Sequence, residues 1–356
     1  MGNPSANVDR RTIGVDLGDR WSQVCVLDSD GEILEESRLR TRPEALRDRF
    51  SSCAPCRVAI EVGTHSPWVS SLLAECGHEV LVANARRLRA IYENDTKSDQ
   101  VDAEMLARIA RTDPRLLHPI RHRGLQARQD LEILRGRDTL VRSRTQEINH
   151  VRGALKSFGV RIPRCSAEAF VKRFDAVDES LRTLMAPMVA MIRTLTATIK
   201  EYDRRIEAME TKYPDVRLLR QVRGVGPVTA AAFVLTIEDP HRFSRSRAVG
   251  SYLGLRSARS QSGDTDPQRR ITKAGDPMLR RLLVTSAQYI LGPFGPDTDL
   301  RRKGLEIAAR GGKRAKKRAV IAVARRLSVL LHHLWITGEV YEPLRIATKR
   351  DAAAAA

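Results

Sequence analysis

The 356-residue chain is 42% hydrophobic and carries 62 Lys and Arg against 43 Asp and Glu, a formal net charge of +19. At roughly 100–200 residues per domain, this length excludes one ordinary domain and suggests two or three, each able to bury a core. The basic excess points to a polyanionic partner, because Lys and Arg displace counterions from nucleic acid. With aromatics at 4%, stacking on single-stranded bases is not the expected mode, and phosphate contacts to a duplex or a folded RNA fit better. Five cysteines, an odd number, together with the lack of a signal peptide or an apolar run of ~18 residues, lead to the expectation of a soluble cytoplasmic protein with reduced thiols and no membrane contact. Cys53 and Cys56 have C-x-x-C spacing, but no second pair completes a zinc site, and no metal is assigned there.

The chain opens with strand-like alternation over residues 12–18 and 23–28, separated by a turn and closed by Asp30-Gly31. A third strand is expected at 32–39, a helix at 43–51, a buried strand at 57–62, a helix at 67–76 and a short strand at 79–83. Three meandering strands followed by alternating helices and strands is the order of a ribonuclease H-like domain, although periodicity alone reads only as α/β. From 124 to 211 the pattern becomes helical. Ala127, Leu134, Val141, Ile148 and Leu155 repeat every seven residues, and after a break at Ile162-Pro163 a second series runs Met185, Met188, Ile192, Leu195, Ile199, Tyr202, Ile206 and Met209. Steps of three and four make a coiled-coil seam, which serves either an intramolecular hairpin or a contact between protomers.

Beyond Tyr213-Pro214, the segment Gly224-Val225-Gly226-Pro227 opens an alanine-rich helix. Gly224 and Gly226 suit a sharp turn that aims amides at a phosphate, as in helix-hairpin-helix motifs, or a plain turn between helices. A loop dense in Ser, Arg and Asp follows at 256–270, then a helix over about 277–291. Residues 301–326 hold eleven Lys and Arg against one Glu; in so basic a chain they read as phosphate-tracking, with Lys313, Arg314, Lys316 and Lys317 as candidates, rather than only as a solvated face.

Two carboxylates lie where apolar strands would otherwise exclude them: Asp16 in Gly14-Val15-Asp16, and Glu61 in Ile60-Glu61-Val62-Gly63. Asp99 and Asp102, in Lys97-Ser98-Asp99-Gln100-Val101-Asp102-Ala103, are three apart and share a helix face. Such a pair is more often a helix cap, but the set of four acids on this strand order suits an oxygen-liganded site for two Mg²⁺ ions, with Mn²⁺ as a possible substitute. The later pieces are Tyr252-Leu253-Gly254-Leu255, Ser262-Gly263 and Arg270-Ile271-Thr272-Lys273-Ala274-Gly275-Asp276. A serine hydroxyl is a poor nucleophile that needs a base or metal and a charge-stabilised phosphate, and Arg269, Arg270 and Lys273 could supply the latter.

In this order, over roughly residues 12–290, the motifs resemble the DEDD transposases of bacterial insertion sequences, described as bridge-RNA-guided recombinases. The resemblance implies a RuvC-like catalytic domain over 8–120 (a ribonuclease H-like mixed sheet), a helical coiled-coil middle over 121–212, a mainly α C-terminal transposase domain over 213–345, and a tail at 346–356. It implies that Asp16, Glu61, Asp99 and Asp102 carry the catalytic metal and that a serine attacks DNA to form a phosphoserine. Ser262, before a glycine, is the first choice and Ser260 the second; Ser257 stands where the family often has proline. Also implied are donor and target double-stranded DNA, a structured guide RNA, a homo-oligomer (dimer or tetramer) and association with the nucleoid. The competing readings are a RuvC-like structure-specific endonuclease using metal-activated water, an actin-like ATPase suggested by residues 14–18 alone, and a non-catalytic DNA-binding module.

Overall fold

The computed structural model describes residues 11–88, 98–259, 261–263, 265, 267, 269–312 and 314–345. Lys97, Ser260, Lys313 and the tail 346–356 lie outside the described residues. The chain divides into two compact units, residues 1–123 and 124–356.

The first unit is a five-stranded mixed sheet of order β3-β2-β1-β4-β5. Its strands are β1 (Thr12–Leu17), β2 (Trp21–Leu27), β3 (Ile33–Arg40), β4 (Arg57–Glu61) and β5 (Glu79–Ala83). β1, β2 and β3 are antiparallel neighbours, whereas β4 runs parallel to β1 and β5 parallel to β4. The two halves differ because two-to-five-residue turns can only return a strand antiparallel, while α1 (Pro43–Ser51) and α2 (Ser66–Glu75) provide the crossovers that parallel pairing requires. Alternation sorts the faces. Ile13, Val15, Val24, Val26, Val58 and Ile60 are buried together with Leu46 and Phe50 of α1 and Val69, Leu72 and Leu73 of α2.

The opposite face is lined by small residues, and α3 (Asp99–Thr112) lies on it through Ala103, Leu106, Ala107 and Ala110. Gly14 explains how closely it lies: a Cβ there would stand 2.0 Å from the Ala103 carbonyl oxygen and 2.6 Å from the Ala107 nitrogen. Helix and strand therefore meet backbone to backbone. Gly14→Val is expected to destabilise the unit by about 3 kcal/mol. Hydrogen exchange across β1 and α3 would show it as lost amide protection; wild-type protection would mean that the helix can lift at little cost.

The second unit is helical. Its two longest helices, α4 (Leu125–Ser157) and α6 (Glu179–Lys212), pack antiparallel, with the short α5 (Phe170–Phe174) between them in sequence. Contacts fix the direction: Asp130 meets Lys212, Arg137 meets Asp203, and Arg144 donates to Thr196. Many of the heptad positions pack within the chain along this hairpin, while Val141, Met188, Leu195 and Tyr202 are only half-buried. Ile148, Leu155, Met185 and Ile192 join Val151 and Val189 in one apolar cluster, whereas Val141 is only half-buried where Arg144 enters the seam. Near the hairpin's open end the Asp130 carboxylate accepts from Lys212 (2.5 Å) and from the Tyr213 hydroxyl (2.6 Å). Burial opposes its ionisation, but these donors outweigh burial and hold its pKa below the ordinary aspartate range.

The rest of this unit comprises α7 (Pro214–Leu219), α8 (Pro227–Ile237), α9 (Arg247–Tyr252), α10 (Pro277–Leu291), α11 (Asp299–Ala309) and α12 (Ala315–Thr337). α8 is buried throughout from Thr229, and α10 and α12 cover it through Leu283, Ala287, Leu327 and Trp335. By length and composition alone α12 is apolar enough to cross a membrane. Its apolar residues instead build this core, while Arg325 and Arg326 on the same helix are exposed.

His332 of α12 is fully buried; its Nε2–H donates to the Pro240 carbonyl (2.9 Å) and its Nδ1 pairs with the Ser246 hydroxyl (3.0 Å), tying down the segment before α9. Burial first, and the nearby His241 and His333 charges, lower its pKa below the ordinary 6.5. The folded state therefore favours neutral imidazole, so this contribution is complete above the unfolded-state pKa and is lost as pH falls through the folded one. His332→Gln should unfold with a smaller drop in midpoint between pH 7.5 and 5 than the wild type. Identical acid dependence of the two would contradict this role for His332.

Candidate active site

In the first unit, register assembles the acids. Val15 and Ile60 are paired residues of the parallel strands β1 and β4, so Asp16 and Glu61, one residue further along each, are neighbours about 4.8 Å apart in backbone position. Both follow a residue buried against α1 and α2, and so both side chains belong to the face on which α3 lies. The α3 backbone touches Gly14 at Ala103, which sets the helix's first turn beside the next rung, that of Asp16. Ser98 caps this turn by accepting from the Val101 N–H. Asp102 is 7% exposed, whereas Asp99 is exposed to solvent.

Asp16 and Glu61 thus stand side by side at the C-terminal ends of β1 and β4, and Asp99 and Asp102 lie in the first turn of the helix that packs on this face. Asp16, Glu61 and Asp102 each have a polar or electrostatic partner. Among the described residues, no three His, Cys, Asp or Glu side chains are arranged to hold a metal ion. Backbone proximity is present; converged carboxylates are not.

The segment between α9 and α10 forms a ribbon in the second unit. The Ala258 N–H donates to the Arg270 carbonyl, the Thr272 N–H to Arg256, and the Lys273 N–H to Gly254, at 2.9, 2.9 and 3.1 Å. Its tip is a tight turn in which Ser262 and Thr265 exchange backbone hydrogen bonds at 3.1 and 3.0 Å. Ser262 is exposed there, and among the described residues no hydrogen bond reaches its hydroxyl. Arg269, Arg270 and Lys273 are exposed along the returning arm.

Two glycines lock the ribbon's base: a Cβ on Gly254 would stand 2.3 Å from the Ala274 nitrogen, and one on Gly275 would stand 2.2 Å from the Tyr252 carbonyl oxygen. Arg280 of α10 then donates to the Ala274 carbonyl (2.6 Å) and the Leu253 carbonyl (3.2 Å). A rigid base therefore carries an exposed tip.

Gly224 and Gly226 lie in the turn between α7 and α8, where the Val225 N–H donates to the Val222 carbonyl (2.9 Å). Gly224 has φ +95°, and a Cβ there would meet Tyr289 and Ile290 of α10 at 3.0 and 3.1 Å; a Cβ on Gly226 would meet open space. Gly224 is thus demanded by the fold, while Gly226 leaves the exposed N-terminus of α8 approachable. Arg314, Lys316 and Lys317, at the start of α12, are exposed.

One group of residues stands outside the expected set. At the end of β2–β3 nearest Asp16, the guanidiniums of Arg38 and Arg40 lie 4.6 and 4.2 Å from the centre of the Trp21 ring. The sequence signal that marks this group is the Arg-x-Arg spacing at 38 and 40 opposite Trp21 on a hairpin partner.

Together these features define a class: a basic two-unit protein, with acids gathered at the strand ends of an α/β unit and a serine-bearing ribbon on a helical one. A DEDD-type transposase family model matches residues 13–159, and a model described as "Transposase IS116/IS110/IS902 family" matches residues 216–298. The chain is 28% identical over 341 residues to a probable family 20 transposase of Pseudomonas aeruginosa, covering 93% of this chain and 98% of that protein. It is 26% identical over 344 residues to the transposase for insertion sequence element IS1111A of Coxiella burnetii, covering 94% and 92%. It is 27% identical over 285 residues to the transposase for insertion sequence element IS1328 of Yersinia enterocolitica, covering 78% and 83%. The chain belongs to the DEDD transposases of the IS110 type.

Proposed function

We propose that the chain cuts and rejoins DNA to move its insertion sequence, with Asp16, Glu61, Asp99 and Asp102 as a divalent-metal site and Ser262 as the nucleophile. The observation that carries this reading is the register of β1 on β4 with α3 seated on Gly14, which supports it by setting the strand ends of Asp16 and Glu61 side by side under the helix that begins with Asp99 and Asp102. The five-stranded order, three antiparallel strands followed by two parallel, supports a ribonuclease H-like or RuvC-like domain. An all-carboxylate donor set fits a hard cation, Mg²⁺ first and Mn²⁺ as substitute. When bound, such a metal lowers the pKa of an attacking hydroxyl and offsets charge on the leaving oxygen.

The chain's own residues do the rest. The Ser262 Oγ attacks the phosphorus and gives its proton to solvent water; an Oγ–P bond forms as one phosphodiester P–O bond breaks, and the released deoxyribose oxygen takes up a proton from water. Arg269, Arg270 and Lys273 offset negative charge on the phosphate. In the reverse sense, a hydroxyl of a second DNA end displaces Ser262, so the bond energy is conserved and no nucleotide triphosphate is consumed. Gly224 and Gly226, with Lys313, Arg314, Lys316 and Lys317, bind phosphates of the nucleic acid. Target choice by a structured guide RNA and a homo-oligomeric assembly complete the reading, resting on the family likeness and on a two-ended reaction.

The test is a cleavage and strand-transfer assay with Mg²⁺, donor and target DNA, and co-expressed flanking RNA. Metal-dependent joining supports the proposal. Cleavage without a protein–DNA adduct would leave the endonuclease reading.

A further inference from the structure

We infer that Trp21, Arg38 and Arg40 form a phosphate-binding platform beside the carboxylate corner, seating the DNA strand one or two nucleotides from the reacting bond. The inference rests on the proposed role of the carboxylates. Register is the first observation. Gln23 of β2 pairs with Asp16 on one side and with Arg38 on the other, and Trp21 pairs with Arg40 one pleat further along. Paired residues share a face, so Asp16, Gln23, Trp21, Arg38 and Arg40 all belong to the face on which α3 lies. Arg38 is two strand spacings from Asp16, about 10 Å between backbones.

Chemistry is the second observation. Both arginines are exposed, and among the described residues neither has a carboxylate partner. Their neighbours in the same unit do: Arg47 pairs with Glu75, Arg49 with Glu35, Arg57 with Glu79, and Arg108 with Glu104. Trp21 takes the place of an acid. A guanidinium stacked over an indole uses its flat face, and its in-plane N–H donors stay available, the geometry that binds a phosphate oxygen pair. Stacking also holds two like charges close together without neutralising them, which raises their affinity for a polyanion.

The flanks agree. Arg20 and Arg42 are exposed on either side, joined through the Thr41 N–H to the Arg20 carbonyl (3.0 Å) and through Ser22 and Thr41 hydroxyls 2.8 Å apart. Of the acids of β3, Glu35 belongs to the other face and pairs with Arg49, while Glu36, one pleat before Arg38 on the platform's face, is engaged by a hydrogen bond from Gln100. The occupant assigned is the DNA strand, because the platform shares a face with the acids proposed to act on DNA.

The experiment measures binding of the full-length protein to donor-end duplex DNA and to the flanking RNA across a salt series in EDTA, where no cleavage occurs. For Arg38→Ala with Arg40→Ala, DNA affinity should fall about tenfold or more, and the slope of log affinity against log salt should flatten by about 1.8, two phosphate contacts' worth. Trp21→Ala should lose part of this, and Trp21→Phe should restore it. The control, Arg47→Ala with Arg115→Ala, removes the same charge from acid-paired positions and should change the slope far less. A double variant that matches the control overturns the inference, as does a loss confined to RNA. The salt series is run in EDTA, where no cleavage occurs, so failure of the carboxylate reading would show in a cleavage assay and not in this measurement.

Discussion

Replacing Asp16 by Asn is expected to lower metal-dependent DNA cleavage by about 10³-fold or more while leaving the protein folded and bound to DNA. Asn keeps the size of the side chain and removes the charge that a divalent ion needs. The position tolerates the change because Asp16 is half-buried at the end of β1, beyond the apolar rungs of Ile13 and Val15 that hold the sheet. Glu61→Gln should behave alike, and the two together should lose little more than either alone, since residues acting as one unit are not additive. Cleavage rates in Mg²⁺ and in Mn²⁺, alongside DNA affinity in EDTA, check this. A variant that cleaves within tenfold of wild type would remove Asp16 from the site.

Ser262→Ala should abolish both the covalent protein–DNA adduct and strand transfer, with no effect on folding. Among the described residues no hydrogen bond reaches the Ser262 hydroxyl, and its turn is held by the backbone atoms of Ser262 and Thr265, which alanine retains. A denaturing gel with end-labelled donor DNA reads the adduct directly. If Ser262→Ala keeps the adduct and Ser260→Ala loses it, the nucleophile is two residues upstream on the same loop. If the wild type cleaves with no adduct, the serine chemistry fails and water is the nucleophile.

The first unit was legible because its strands alternate cleanly: each expected strand and helix up to Ala83 lies within about two residues of the observed one, as boundary shifts of this size are common. Asp16 and Glu61 stood out for the same reason, as charges in apolar runs. What alternation could not give was the approach of α3, which depends on a missing side chain at Gly14 meeting small ones at Ala103 and Ala107. The heptads announced long helices but not their direction; that came from pairs such as Arg137 and Asp203, which no one-dimensional pattern contains. Trp21, Arg38 and Arg40 escaped for a related reason, since each is unremarkable until cross-strand register stacks them.

Digestion of the wild-type adduct, trapped with Mg²⁺ and donor DNA, followed by mass spectrometry of the nucleotide-bearing peptide, tests the central claim most directly. The account predicts a phosphodiester remnant on Ser262, formed by the wild type and absent from Asp16→Asn. A remnant on a residue outside the 256–270 loop, or an undiminished adduct in Asp16→Asn, would contradict it.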